Sequence, residues 1–291
     1  MARQATVARR AEELLDVAVV STQPVAGGDI CTTTRLRLSD GTLAVMKTKP
    51  HAPPTFFRTE AHGLRWLAEV DGGAPVPEVL AVEDDCLLLR WIEPGRPGGD
   101  AATAFGARLA RTHAAGAAAY AGPDGSEADG WIGTLPLPQR SAPTWAEFYA
   151  VRRVLPYLKL ARDRHAIEPE HAQVIEDIVR VLPDRAGPSE PPARLHGDLW
   201  SGNVVWAGDG QVWMLDPAAY AGHRETDLAM LALFGLPQLE QVLTGYQAEA
   251  PLAEGWEERV GLHQLFPLLV HACMFGGGYG ARAAAGVEHL R

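Results

Sequence analysis

Up to about Trp91 the apolar positions come in short runs separated by turn residues. Leu36-Arg37-Leu38 alternates, Ser39-Asp40-Gly41 is a turn, and Leu43-Ala44-Val45-Met46 follows, a pattern that predicts a hairpin. Pro53-Pro54-Thr55 opens a helix whose apolar positions Phe57, Leu64 and Leu67 repeat at a period near 3.6. Two further strands are predicted at Val79-Leu80-Ala81-Val82 and Leu87-Leu88-Leu89, and Pro94-Gly95-Arg96-Pro97-Gly98-Gly99 then reads as a linker. Beyond it the spacing turns helical over 101–118, 144–162, 168–182 and much of 226–274, with a loop from Pro183 to Pro192. No internal repeat at solenoid periods is visible. The expected fold class is α+β, with a small antiparallel-sheet lobe over 1–93 and a larger helical lobe over 94–291.

Composition narrows the class. The 291 residues are 47% hydrophobic and 21% charged, as a packed globular protein requires. A net charge of −10 makes a poor binder of nucleic acid or anionic membrane. Cys31, Cys86 and Cys273 are odd in number and far apart, with no CxxC, which supports neither a disulfide framework nor a cysteine zinc site. Val17-Ala18-Val19-Val20 is too short for a signal core, and no run nears the ~18 apolar residues of a membrane span. A cytoplasmic protein without nucleic-acid or membrane partners is the expectation.

Candidate chemistry concentrates in Leu195-His196-Gly197-Asp198-Leu199-Trp200-Ser201-Gly202-Asn203 and the strands after it. Val204-Val205-Trp206 and Val212-Trp213-Met214-Leu215 flank the turn Gly208-Asp209-Gly210 and run into Asp216. Antiparallel pairing brings the start of one strand beside the end of the other, so Asn203 and Asp216 share one rim, with Asp198 on the loop just before. Two carboxylates and an amide oxygen are hard ligands suited to Mg²⁺ shared with phosphates. The order Asp-x4-Asn, then Asp at a hairpin's end, matches the catalytic and metal-binding loops of kinases.

Such a site needs a strand lysine for the α/β-phosphates of ATP, and Lys47 supplies one, with Lys49 on the same face as its competitor. It also needs a helix carboxylate. Glu60, on the apolar side of its helix, is costly to bury unless it meets a cation, and Lys47 is the natural partner. Gly27-Gly28-Asp29 lets the backbone approach phosphates, and Trp91-Ile92 sits where an adenine-binding hinge belongs. Histidines 263 and 271 read as core or surface residues, and Gly276-Gly277-Gly278-Tyr279-Gly280 lacks the βαβ unit of a dinucleotide loop.

The motif His196-Gly197-Asp198-Leu199-Trp200-Ser201-Gly202-Asn203, followed by Asp216-Pro217-Ala218-Ala219-Tyr220 and Arg224-Glu225-x-Asp227-Leu228-Ala229, closely resembles the fructosamine kinase (ketosamine 3-kinase) family. Trp131-Ile132-Gly133-Thr134-Leu135-Pro136, Trp145-x-x-Phe148 with Arg152-Arg153, and Phe275-Gly276-Gly277-Gly278-Tyr279 extend the resemblance along nearly the whole chain. It implies a bilobal protein-kinase-like fold related to aminoglycoside and choline kinases, ATP and Mg²⁺ as cofactors, and a ketosamine acceptor phosphorylated at O3, leading to deglycation. Asp198 would be the catalytic base, Asn203 and Asp216 the metal ligands, and Gly27, Gly28, Lys47, Glu60, Trp91 and Ile92 the ATP site. For the acceptor, Trp200 offers a flat wall and Glu225 a carboxylate for the ammonium, with Tyr220 and Arg224 beside them. An ion pair of Arg224 with Asp227 or with Glu225 is the structural alternative.

Overall fold

The computed structural model describes residues 2–26 and 30–291, with the backbone alone for residues 2–4. Helix α1 (Ala2–Leu15) leads into strands β1 (Val19–Val25), β2 (Thr32–Leu38) and β3 (Leu43–Thr48). Next come helix α2 (Phe56–Ala68) and strands β4 (Val79–Val82) and β5 (Cys86–Arg90). The five strands form one antiparallel sheet in the order β1-β2-β3-β5-β4. Alternation along β3 gives the sheet two working faces. Ala44 and Met46 point to α1, where Val7 and Ala11 cover them together with Leu36, Leu38 and Leu88. Val45 packs on the opposite side with α2, as do Leu87 and Leu89, and Lys47 shares that parity. Helix α1 was not foreseen, because its apolar face is made of small and scattered residues.

Helix α2 starts after Pro53-Pro54, with Thr55 in the left-handed region (φ 68°). Gly63 lies on its inner face, and a Cβ there would come within 2.9 Å of the Ala219 side chain. This close approach seats α2, and with it Glu60, against the segment that follows Asp216.

The rest of the chain is mainly helical. Helix α3 (Gly99–Ala114) precedes a hairpin of β6 (Gly130–Ile132) and β7 (Leu135–Leu137). Helix α4 (Trp145–Phe148), a π-helical turn (Tyr149–Val154) and α5 (Leu155–Asp163) run on as one stretch, followed by α6 (Pro169–Arg185). Four three-residue strands come next: β8 (Ala193–Leu195), β9 (Val204–Trp206), β10 (Val212–Met214) and β11 (Tyr220–Gly222). Helices α7 (Glu225–Leu233), α8 (Leu239–Glu249), α9 (Trp256–Phe275) and α10 (Tyr279–Val287) complete the chain. Leu262, Leu265, Phe266 and Leu269 of α9 are buried in the largest core cluster.

Two expectations shift. The predicted loop from Pro183 begins later, because α6 carries Pro183 in its last turn and stops at Arg185. The predicted linker is tied down: Pro94 bridges Ala207, and Gly208 N–H donates to Glu93 C=O (2.9 Å). The sheet is thus fastened to the β9/β10 hairpin that carries the site.

Candidate active site

Two small hairpins frame the polar cluster. In the first, Val204 pairs with Met214, and Leu215 N–H donates to Asn203 C=O (2.8 Å), which sets Asn203 beside Asp216. In the second, Tyr220 pairs with Leu195, which returns the chain after Asp216 to the strand leading into Asp198. His196 locks the two together. Its Nε2 donates to Leu215 C=O (2.7 Å) and its Nδ1 accepts the Asp198 amide (3.3 Å), the one tautomer that satisfies both contacts. Burial holds this imidazole below its ordinary pKa. Gly197 has φ 81°, and a Cβ there would come within 2.1 Å of the Ala218 carbonyl oxygen. Glycine is therefore required directly before Asp198.

Asn203 Nδ2 donates to the Asp198 carbonyl (2.8 Å) and to its carboxylate (3.0 Å). This leaves Asn203 Oδ1 as a hard oxygen donor. Burial pushes Asp198 up to about 7, Asp216 and Asp227 add to the rise, and the Asn203 hydrogen bond opposes it. Asp216 adopts a left-handed backbone (φ 54°), and its side chain is 48% exposed. Lys47 meets it at 3.1 Å and Glu60 at 2.6 Å. Burial works against the Lys47 charge, but Asp216 and Glu60 outweigh it and hold the ammonium above its ordinary value. Lys49 lies apart, donating to Ile30 C=O (3.2 Å) over the Phe56 ring, so the geometry separates two lysines that strand parity could not.

Lys47, Glu60, Asp198, Asn203, Asp216 and Trp200 all line one open cleft with a cavity volume of about 200 Å³. Phe56, Trp131, His271, Met274 and Phe275 supply much of its remaining wall. None of these five was singled out as a site residue, although Trp131 and Phe275 stand in the quoted family motifs. Trp200 packs edge-on against Phe234 (5.7 Å).

Other expected residues are placed elsewhere. Gly27 and Gly28 lie outside the described residues. Trp91 and Ile92 follow β5 and do not line this cleft; Trp91 N–H is committed to Leu43 C=O (3.0 Å). Tyr220 is buried with Arg153 over its ring (3.9 Å). Arg224 forms a two-armed pair with Glu190 (2.6 and 2.7 Å) rather than with Asp227 or Glu225. Glu225 is buried and held by Arg259 (2.6 and 2.9 Å) and His263 (3.2 Å), which outweigh burial and bring it down to about 2. Helix α7 starts at Glu225 and turns that side chain inward, so Glu225 offers the cleft no carboxylate. His223, Glu225 and His263 come close enough to surround a cation, but the guanidinium of Arg259 already takes both Glu225 oxygens.

Asp227, read from the sequence as a candidate ion-pair partner of Arg224, has a different task. Its carboxylate accepts the amides of His196 (2.7 Å) and Gly197 (2.9 Å), and His113 Nε2 lies 3.2 Å away. Burial opposes its charge, yet the bonds from His113 and the Gly197 amide hold it below the usual carboxylate range. Asp227 thus fixes the backbone of the loop bearing Asp198. Only the fold could reveal this, because the partners are main-chain groups about thirty residues away.

The family pattern described as fructosamine kinase matches residues 3–291. The chain belongs to the fructosamine kinase family. A probable ketoamine kinase of Thermus thermophilus is 38% identical over 257 residues, covering 88% of each chain. A chloroplastic protein-ribulosamine 3-kinase of Arabidopsis thaliana is 31% identical over 268 residues, 91% of this chain and 80% of its own. A solved structure from Thermobifida fusca, named for fructosamine-3-kinase, superposes with a TM-score of 0.89 at 45% identity, covering 96% of this chain and 98% of its own. An aminoglycoside phosphotransferase that is 15% identical shares the fold, with a TM-score of 0.66 over 97% of this chain and 98% of its own. The fold is that of protein-kinase-like phosphotransferases. No helix among the described residues is long and apolar enough to cross a membrane.

Proposed function

We propose that this fructosamine kinase family member transfers the γ-phosphoryl group of ATP to the 3-hydroxyl of a ketosamine. The observation that carries the reading is one cleft in which Lys47 bridges Glu60 and Asp216 while Asp198 and Asn203 meet at the same wall. Lys47, held by Glu60, grips the α/β-phosphates. The free oxygens of Asn203 and Asp216 suit Mg²⁺, which when bound neutralises phosphate charge. Asp198 orients the acceptor hydroxyl and takes its proton, a task matched to a carboxyl held near neutrality. With the Trp91 amide spent, the Trp91 carbonyl and the Ile92 amide read adenine. Residues 1–93 form the nucleotide-binding lobe and 94–291 the catalytic and acceptor-binding lobe.

Trp200 is the wall for the sugar. With Glu225 turned away, the cleft's ionised groups are those assigned to catalysis, and aromatic faces meet the acceptor's amine. A phosphate on C3 stands next to the C2 carbonyl, so enolisation toward C1 expels it. Hydrolysis of the resulting imine then frees the amine, and deglycation follows. We assign this activity to the cytoplasm, where ATP is available. Fructosamine, ribulosamine and erythrulosamine derivatives, assayed with an aminoglycoside and an amino alcohol by ADP release, test the reading. Turnover confined to ketosamines supports it. Turnover of the other acceptors alone, or ATP binding without any turnover, refutes it.

A further inference from the structure

The stretch from Trp145 to Asp163 is interrupted by the π-helical turn at Tyr149–Val154. Insertions of this kind redirect side chains and recur at functional sites. Here Arg152 points outward, its Nε donating to Arg140 C=O (2.9 Å), while Arg153 turns inward and is fully buried. Among the described residues no carboxylate lies within ion-pairing distance of Arg153, and its Nε has no partner. Its guanidinium sits among the rings of Tyr220 (3.9 Å), Phe148 (4.6 Å) and Phe266 (5.5 Å). A buried cation without a counter-ion is a poor stabilising device, and an apolar side chain of similar volume would usually serve the core as well.

What Arg153 touches gives it another role. One arm is the Tyr220 ring, which lies so close to Gly197 that a Cβ there would come within 2.9 Å of it, and Gly197 directly precedes Asp198. The other arm runs through Gln139. Arg153 donates to Gln139 Oε1 (2.8 Å), and Gln139 Nε2 donates to the Ala219 carbonyl (3.2 Å), three residues after Asp216. Both carboxylate-bearing segments therefore lean on one planar, rigid group. We infer that Arg153 is a positioning residue which, through Tyr220 and Gln139, fixes Asp198 and Asp216 relative to each other. The inference rests on the roles proposed above for those two aspartates.

Arg153→Met keeps the stem and removes the charge, and Gln139→Leu cuts the second arm while leaving the guanidinium in place. Both should melt cooperatively, with kcat lowered by about 10- to 10²-fold, the scale of a small misplacement of reacting groups. The Mg²⁺ midpoint for ATP-induced thermal protection should rise about threefold or more, while the ketosamine KM stays within about twofold. Full kcat in folded Arg153→Met, or a fall that only tracks the folded fraction with an unmoved Mg²⁺ midpoint, overturns the inference. If Arg153→Met does not fold, Gln139→Leu decides alone: an unmoved midpoint with full kcat overturns it. The thermal measurement needs no acceptor, so a wild type inactive on every ketosamine refutes the proposed function without silencing this test.

Discussion

Replacing Asp198 by Asn tests the catalytic and electrostatic readings of the site together. The Asp198 carboxyl is held at about 7 chiefly because burial disfavours its charge. In the unfolded chain it titrates at the usual value of 3.8. Below the unfolded value both states are protonated, and the group is neutral toward stability. As pH rises from about 4 to about 7 the unfolded state gives up its proton first, so the folded state loses ground, and above 7 the loss is complete. A rise from 3.8 to about 7 corresponds to a cost of about 4 kcal/mol. Asp198 keeps some exposure to the cleft, which brings the expected loss nearer ~2 kcal/mol. Asn is nearly isosteric, does not ionise, and can still accept the Asn203 bond through its oxygen. Asp198→Asn should therefore melt about 4–8 °C above wild type at pH 8 and within about 1 °C of it at pH 4. Its kcat should fall by ~10²–10⁴, with ATP affinity within a few-fold. Melts across that pH range without nucleotide or metal, paired with steady-state turnover at pH 8, make the measurement. Equal melting temperatures at pH 8 would refute the electrostatic argument, and near-normal turnover would refute the assignment of the base.

Asp216→Ala should abolish Mg²⁺-dependent nucleotide protection in a thermal melt, whereas Asp209→Ala, at the exposed hairpin tip, should not; identical behaviour would move the metal site away from the hairpin rim. Trp200→Ala should raise the ketosamine KM at least about tenfold, or ~1.4 kcal/mol, and leave the ATP KM within about twofold. Steady-state titrations in each substrate check this, and an equal rise in both would mean that the indole only packs the interior. Glu225→Gln should lower the melting temperature by several degrees, since it removes one partner of a buried ion pair, and leave the ketosamine KM within about twofold. A large rise in that KM in a stably folded variant would return Glu225 to the acceptor pocket.

The antiparallel sheet, the helical remainder and the clustering of Asp198, Asn203 and Asp216 were legible along the chain because each rests on local chemistry. Alternating apolar residues around Ser39-Asp40-Gly41 specify a hairpin wherever it later docks, and Asp-x4-Asn before a hairpin ending in Asp places three oxygen donors together by register alone. Glu60 could be matched to Lys47 because a carboxylate on an apolar helix face demands a cation. The choice of Lys47 over Lys49 required the tertiary structure, since both share a strand face and only the docking of α2 and of the Asp216 segment selects one. Much of the cleft's wall was hidden for the same reason: Phe56, Trp131, His271 and Phe275 come from distant elements, and each alone reads as packing. The partners of Arg224, Glu225 and Asp227 were not legible, because the sequence offered only the acceptor pocket or pairs among themselves, whereas the fold turns them toward Glu190, Arg259 and the backbone of the loop bearing Asp198. A charge chooses its partner by the space left after packing, and sequence separation does not record that space.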